Sequence, residues 1–224
     1  MKNKIQLAVD AVVFGYESGN ISVLLVKRKY EPHKDAWAIP GGFVLEKENL
    51  EEAVKRELAE ETGAKVNYLE QLYTFGDVKR DPRGRVVSVA YFGLVKPNAF
   101  QLQAATDAKK AAWFTIKKLP KLAFDHKKIL KMAIQRLQGK ITYEPIGFEL
   151  LDKKFPFSDL EKLYTTLLDR EIDRRNFKKK ITSLQVLDEL EEKVSIGRGR
   201  PASLFSFNKK RYFQLKKEGI IFEI

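Results

Sequence analysis

Residues 42–64 read GFVLEKENLEEAVKRELAEETGA, and their spacing dictates a capped helix with acids on its buried side. Asn49 with Glu52 three residues later is a start signal, and Gly63 is a stop, so a helix is expected over residues 50–62. Rotating by about 100° per residue puts Leu50, Ala53, Val54 and Leu58 on one apolar stripe. Glu57 and Glu61 fall inside that stripe and Glu60 at its edge. Buried carboxylates are costly unless paired or metal-bound, and like charges at this spacing repel. Something cationic should therefore sit there. Hard oxygen ligands suit Mg²⁺ or Mn²⁺, and magnesium is commonly shared with substrate phosphates, so a diphosphate ligand is implied. The alternative, a solvated Glu/Lys/Arg surface, describes Glu46, Glu48, Glu51, Glu52 and Lys55 well. It does not explain acids on the apolar face or the Gly41-Gly42 turn expected before the helix.

The 224 residues leave room for one large domain or two small ones, and 44% hydrophobic content supports a core. No long uncharged apolar run is present, so no membrane association is expected. The start, Met1-Lys2-Asn3-Lys4-Ile5, leads into no signal-peptide core, and cytoplasm is the expected location. Without cysteine there is neither a disulfide framework nor a thiolate zinc site. The net charge of +12 points to polyanionic partners. Residues 1–150 hold 25 Lys/Arg and 18 Asp/Glu, a net of +7, while residues 151–224 hold 17 and 12, a net of +5 in half the length. Residues 193–217 contain eight cations and no acid.

Residues 5–14 and 21–27 read as strands joined by a turn at 15–20, a hairpin. Further strands are expected at 69–75, 86–95 and 111–116, and a helix over 126–138 ended by Gly139. Strands with helices laid across them imply an α/β/α sandwich on a mixed sheet, occupying residues 1–142. Pro145 and Gly147 interrupt the pattern, so residues 143–150 are assigned as a linker and 151–224 as a second domain. There, Ser158 with Glu161 reads as a capping box opening a helix to about Leu168. After a turn or short helix at 169–173, residues 174–181 read as a helix with five cations, and Phe177, Ile181 and Leu184 as its apolar contacts. Two short strands, 187–194 and 203–207, flank a Gly197-Arg198-Gly199-Arg200-Pro201 turn.

Helices followed by a β-hairpin describe a winged helix-turn-helix, making the whole chain α+β. Arg174, Arg175 and Asn176 are residue types that read base edges, and Lys178, Lys179 and Lys180 suit phosphates. Arg198 and Arg200 place charge at the hairpin tip. The expected partner is a double-stranded DNA operator; the alternative is a basic, solvated helix in a packing domain.

Nine positions of the opening segment, Gly42, Glu48, Arg56, Glu57, Leu58, Glu60, Glu61, Gly63 and Ala64, resemble the Nudix box with no polar position missing. Trp37-Ala38-Ile39-Pro40-Gly41-Gly42, the Phe75–Tyr91 stretch with Arg80-Asp81-Pro82-Arg83-Gly84-Arg85, and Phe124-Asp125-His126 are similar to the ADP-ribose pyrophosphatase branch. Asp173-Arg174-Arg175-Asn176-Phe177 and Arg200-Pro201-Ala202 resemble the C-terminal domain of the Nudix-related transcriptional regulators (NrtR). The resemblance covers essentially the whole chain. It implies a repressor or activator, usually a homodimer, that senses ADP-ribose or, in some branches, a sugar such as arabinose. Two-fold symmetry then implies a roughly palindromic operator.

The resemblance also implies roles. Glu57, Glu60 and Glu61 would hold Mg²⁺ or Mn²⁺, a carboxylate would activate water, and Glu48 and Arg56 would pair to brace the loop. Arg80, Arg83 and Arg85 are candidates for phosphate or ribose, since arginine suits phosphate bidentately; the alternative is a solvated hairpin tip. Gly41 and Gly42 count among the ligand-binding positions. Trp37 and Trp113 are expected in the core, and His126 is expected to carry no chemical role. Family members often have a broken box, whereas here it is intact. The small-molecule effector could therefore also be a substrate, in a Mg²⁺-dependent hydrolase of ADP-ribose or a related nucleoside diphosphate compound, alone or combined with regulation. An RNA-decapping enzyme is disfavoured by the lack of interleaved surface aromatics.

Overall fold

β1 (Gln6–Glu17) and β2 (Asn20–Arg28) form an antiparallel hairpin closed by Ser18 and Gly19. Both turn residues have positive φ, 51° and 79°, which matches the strand twist of a two-residue turn. The computed structural model describes residues 4–66, 68–99, 102, 108–195, 201–219 and 223. Next come β3 (Trp37–Ala38), β4 (Gly41–Phe43), α1 (Leu50–Thr62), β5 (Tyr68–Phe75), β6 (Val86–Val95), β7 (Ala108–Thr115) and α2 (His126–Lys140). The sheet has seven strands in the order β3-β2-β1-β6-β5, with β4 also paired to β1 and β7 to β2. It is mixed as expected, because β1 runs parallel to β6 from Gln6↔Val86 to Gly15↔Val95 and the other pairs are antiparallel.

Parallel strands covered on both faces read as continuous apolar runs, and β1 and β6 are buried along most of their length. Val9, Ala11 and Val13 of β1 pack with Ala53, Val54 and Leu58 of α1. Burying such a Val or Leu side chain contributes roughly 1.5–3 kcal/mol. Asp10 projects to the other face of β1, where His126 at the start of α2 reaches it. Trp113 packs against the α1 cluster and Trp37 stacks edge-on with Phe114 at 4.6 Å, so both tryptophans take structural positions.

Two expectations about local structure change. Gly41 and Gly42 do not form a turn; they are the start of strand β4, with Gly41 opposite Asp10 and Gly42 opposite Val9. Close approach explains both glycines: to backbone at Gly41, and to the mobile end of a side chain at Gly42. A Cβ on Gly41 would lie 2.2 Å from the Val9 carbonyl, and one on Gly42 2.2 Å from Glu57 Oε1. Gly139 does not end α2, which continues through Lys140. Tyr143 and Glu144 then bond back to the Lys140 carbonyl, and Pro145 follows.

The chain divides into two units, Met1–Arg136 and Leu137–Ile224, at a point within α2 and ahead of the linker expected at 143–150. The second unit has a 3-10 turn (Ile146–Leu150), β8 (Phe155–Pro156), α3 (Phe157–Leu168), α4 (Arg174–Ser183), β9 (Leu187–Val194), β10 (Ala202–Phe207) and α5 (Lys209–Lys217). Its sheet runs β8-β10-β9, all antiparallel, which with α3 and α4 makes the winged helix. Phe177, Ile181 and Leu184 are buried, as their spacing requires. Asp173 caps α4 by accepting from the Asn176 N–H at 2.9 Å. The Ser158–Glu161 capping box does not form. Pro156, held in β8 by Leu204, is the cap residue, so α3 begins two residues earlier and Ser158 lies within its first turn. Glu161 instead pairs with Arg174. No element was expected after Phe207, yet α5 forms there, capped by Asn208 and anchored by buried Leu215.

Candidate functional site

The Nudix-type cleft is built around one guanidinium. Both ends of α1 are fixed locally: Asn49 and Glu52 complete a capping box, and Gly63 closes the helix in the left-handed conformation at φ 72°. Arg56 projects from the middle of α1 to the loop before it. Its Nε and Nη2 grip Glu48 at 2.9 and 2.7 Å, and Nη2 also donates to the Phe43 carbonyl at 3.1 Å. Glu48 in turn accepts from the Leu45 N–H at 2.8 Å. The Arg56 bonds, joined by that backbone N–H, hold the Glu48 carboxyl well down, at about 2. Glu48 raises the Arg56 pKa in return, opposed by burial and assisted by Glu57.

The three expected metal ligands do not converge. Arg56 Nη1 meets Glu57 Oε1 at 2.8 Å and Glu60 Oε2 at 3.4 Å. Glu61, 7% exposed, accepts from the Gly41 N–H at 2.9 Å. Among the described residues no three His, Asp or Glu side chains stand close enough to hold an ion. The physical demand seen in the sequence, a positive charge beside acids on an apolar stripe, is met in part by Arg56, which reaches Glu57 and Glu60 but not Glu61. The donor chemistry suits a hard dication, but as placed Glu57 and Glu60 are held by Arg56 rather than turned together with Glu61.

Behind the box lies a polar network that sequence reading missed. Arg80 is buried and bidentate to Asp125, at 3.0 and 2.8 Å, and reaches Asp10 at 3.2 Å. Ser88 donates to Asp10 Oδ2 at 2.5 Å. The Ile39 N–H donates to His126 Nδ1 at 2.9 Å, which assigns the ring proton to Nε2, 3.5 Å from Asp10 Oδ1. Burial pushes the His126 pKa down, against the pull of Asp10 and Asp125, and keeps the ring neutral. Burial also acts to lower the Arg80 pKa, but the two carboxylates outweigh it and raise it. The available signal was a lone Asp in the apolar run Leu7-Ala8-Val9-Asp10-Ala11-Val12, with Ser88 alone among the apolar residues of β6.

The three candidate arginines separate. Arg80 lines the cleft but is committed to Asp10 and Asp125. Arg83 lines it too, held by buried Asp81 at 2.7 Å, with its guanidinium 5.1 Å from the Phe43 ring centre and 5.6 Å from that of Phe124. Burial works against ionisation of Asp81, but Arg83 outweighs it and lowers the pKa. Arg85 donates to the Gly76 and Asp77 carbonyls and is not part of the lining. The cleft holds about 350 Å³, within the small-ligand range. Gly41, Gly42, Glu57 and Glu61 form its box side, and Phe43 and Phe124 supply ring faces.

In the second unit, Arg174, Arg175, Asn176, Lys178 and Lys179 are exposed on α4, and Lys180 is half-buried. Arg174 Nε lies 3.1 Å from Glu161 of α3, and Lys178 lies over the Phe157 ring at 5.6 Å. Arg198 and Arg200 lie outside the described residues. Strand β9 itself is acidic, with Asp188, Glu189, Glu191 and Glu192 exposed.

Residues 4–133 match the NUDIX domain family and residues 147–207 the NrtR DNA-binding winged helix domain. The chain is 35% identical over 92% of its length to the ADPR responsive transcriptional repressor NtrR of Acinetobacter baylyi, covering 83% of that protein. An ADP-ribose pyrophosphatase of Methanocaldococcus jannaschii is 46% identical over 56% of the chain and 70% of its own length. The crystal structure of Shewanella oneidensis NrtR complexed with a 27mer DNA superposes with a TM-score of 0.82 at 34% identity, over 92% of this chain and 94% of that one. No helix among the described residues is long and apolar enough to cross a membrane. The chain belongs to the NrtR family, in which a Nudix domain is joined to a DNA-binding winged helix.

Proposed function

We propose that this protein is a transcription regulator in which the cleft beside α1 takes an ADP-ribose-type ligand and α4 enters the major groove of an operator. The supporting observation is that one chain carries both a ligand-sized cleft rimmed by guanidinium groups and a helix-turn-helix whose second helix exposes Arg174, Arg175 and Asn176. The A. baylyi relative, named as ADPR-responsive, matches across both parts. Arg83 is the better candidate for the diphosphate, since Arg80 is already satisfied by two carboxylates. Phe43 and Phe124 offer faces for an aromatic base. Lys178 and Lys179 suit operator phosphates, and a homodimer would read a two-fold operator. A cytoplasmic location accords with DNA as partner. Fluorescence anisotropy on upstream duplexes, with and without ADP-ribose or pentoses, tests this reading; no specific binding under any condition overturns it.

A second reading, hydrolysis of the ligand, is supported by the complete box and by the similarity to the M. jannaschii enzyme. Mg²⁺ or Mn²⁺ held by Glu57, Glu60 and Glu61 would neutralise charge on the diphosphate during displacement. It requires Glu57 and Glu60 to leave Arg56. AMP release from ADP-ribose that depends on Mg²⁺ and disappears in Glu61→Gln supports it; no turnover across a panel of dinucleotides and nucleotide sugars sinks it.

A further inference from the structure

We propose that the segment from β7 into the first half of α2 carries a second DNA-backbone contact surface, on the Nudix unit and separate from the winged helix. The inference rests on the regulator reading above, and it starts from charge. Residues 108–143 contain ten Lys/Arg and one acid, Asp125. That acid is turned inward onto Arg80, at 2.8 and 3.0 Å. Lys118, Lys121, Lys127, Lys128 and Lys131 are all exposed. The ion pairs of this stretch use Lys109, Arg136 and Lys140 instead, and none of those five lysines forms one among the described residues.

The arrangement works against the helix that carries it. Lys127 and Lys128 stand in the first turn of α2, where no acid is present, and so oppose the positive end of the helix dipole. Lys131 then follows Lys127 at i+4 and Lys128 at i+3, spacings at which like charges repel. The buried residues Ile129, Leu130 and Ala133 occupy the inner face, leaving these lysines on the outer one. A surface that only needed solubility would intersperse acids. Flexible point charges close in the chain and without acids among them suit a polyanion's phosphates, and read no bases. No exposed aromatic or large apolar side chain stands among the five lysines, which disfavours a lipid surface or stacked single-stranded RNA. Duplex DNA outside the operator core is the occupant.

The experiment compares the full wild-type chain with a variant in which Lys118, Lys121, Lys127, Lys128 and Lys131 are all changed to Gln. Binding is measured by anisotropy from about 50 to 200 mM salt on two duplexes. One is the shortest that the wild type binds specifically; the other is the same core with arbitrary flanks. Each lost phosphate contact flattens the log–log salt slope by about 0.9, so three contacts flatten it by about 2.7, roughly 40-fold over that range. The expected result is that flattening on the long duplex, with the short duplex unchanged. None of the five lysines lines the ligand cleft, so ligand response on the short duplex should also persist. Equal slopes for both proteins on the long duplex, or equal loss on both duplexes, overturns the proposal while the regulator reading stands. Failure of the wild type to bind any duplex specifically overturns both.

Discussion

Replacing Arg80 by Met should cost the first unit about 3–5 kcal/mol, because it leaves two carboxylates buried without their counter-charge. The Arg80 side chain is 5% exposed, that of Asp10 9% and that of Asp125 17%, so water can rehydrate little of what is lost. Arg80 makes three charge-assisted bonds, two to Asp125 and one to Asp10. Met matches the length of the stem but none of the donors. Both tryptophans, Trp37 and Trp113, lie in the first unit, so their fluorescence reports its unfolding without interference from the winged helix. At roughly 3–4 °C per kcal/mol for a unit of this size, the loss corresponds to about 9–20 °C in Tm. Combining Arg80→Met with Asp10→Asn should cost less than the sum of the two single changes, since one unpaired charge is removed. A Tm within about 3 °C of wild type for Arg80→Met, or strict additivity of the pair, would refute the buried-network argument.

Other expectations follow from single contacts. Glu48 is depressed to about 2 by Arg56, below an unfolded value of about 4.3, so its stabilisation is complete above the latter and is lost as pH falls toward the former. Acid titration followed by tryptophan fluorescence should show Glu48→Gln less stable than wild type near neutrality, with the difference closing by about pH 2; a pH-independent difference contradicts the assignment. Gly42→Ala puts a Cβ 2.2 Å from Glu57 Oε1 and should displace that carboxylate, the mobile end of its side chain, at little cost in stability while weakening ADP-ribose binding in calorimetry. Unchanged affinity would show that the close approach is not needed. Asp173→Ala removes the cap of α4, a loss of about 1 kcal/mol to the second unit, and should weaken operator binding in anisotropy while leaving ligand affinity intact.

What could be read from the sequence follows the range of the forces involved. The bounds of α1 were legible because Asn49, Glu52 and Gly63 act within one turn of it. The inward face of α4 was legible for the same reason, through Phe177, Ile181 and Leu184. The Asp10–Arg80–Asp125 network was not, because its members are 70 and 45 residues apart and meet only when β1, the loop before β6 and the start of α2 come together. The Gly41-Gly42 pair misled because glycine is read first as a source of positive φ, whereas here it makes room for Val9 and Glu57. Ser158 misled because strand pairing of Pro156 with Leu204, a tertiary effect, sets where α3 begins.

The box itself shows why a complete signature does not by itself specify chemistry. A helical wheel assigns Arg56 to a direction about 100° from Glu57, and so treats the acids as isolated on the apolar stripe. The arginine stem is long enough to fold back, and its planar fork serves Glu48, Glu57 and Glu60 together. One residue thereby braces the loop and lends positive charge to Glu57 and Glu60, while Glu61 rests on the Gly41 N–H. A dication entering here competes with a guanidinium that already holds two of its three carboxylates, yet one guanidinium among Glu48, Glu57, Glu60 and Glu61 leaves the box side of the cleft net negative, which favours such an ion beside a phosphorylated ligand. The bracing holds the box side of the cleft in place. Hydrolysis demands in addition that Glu57 and Glu60 exchange Arg56 for the ion.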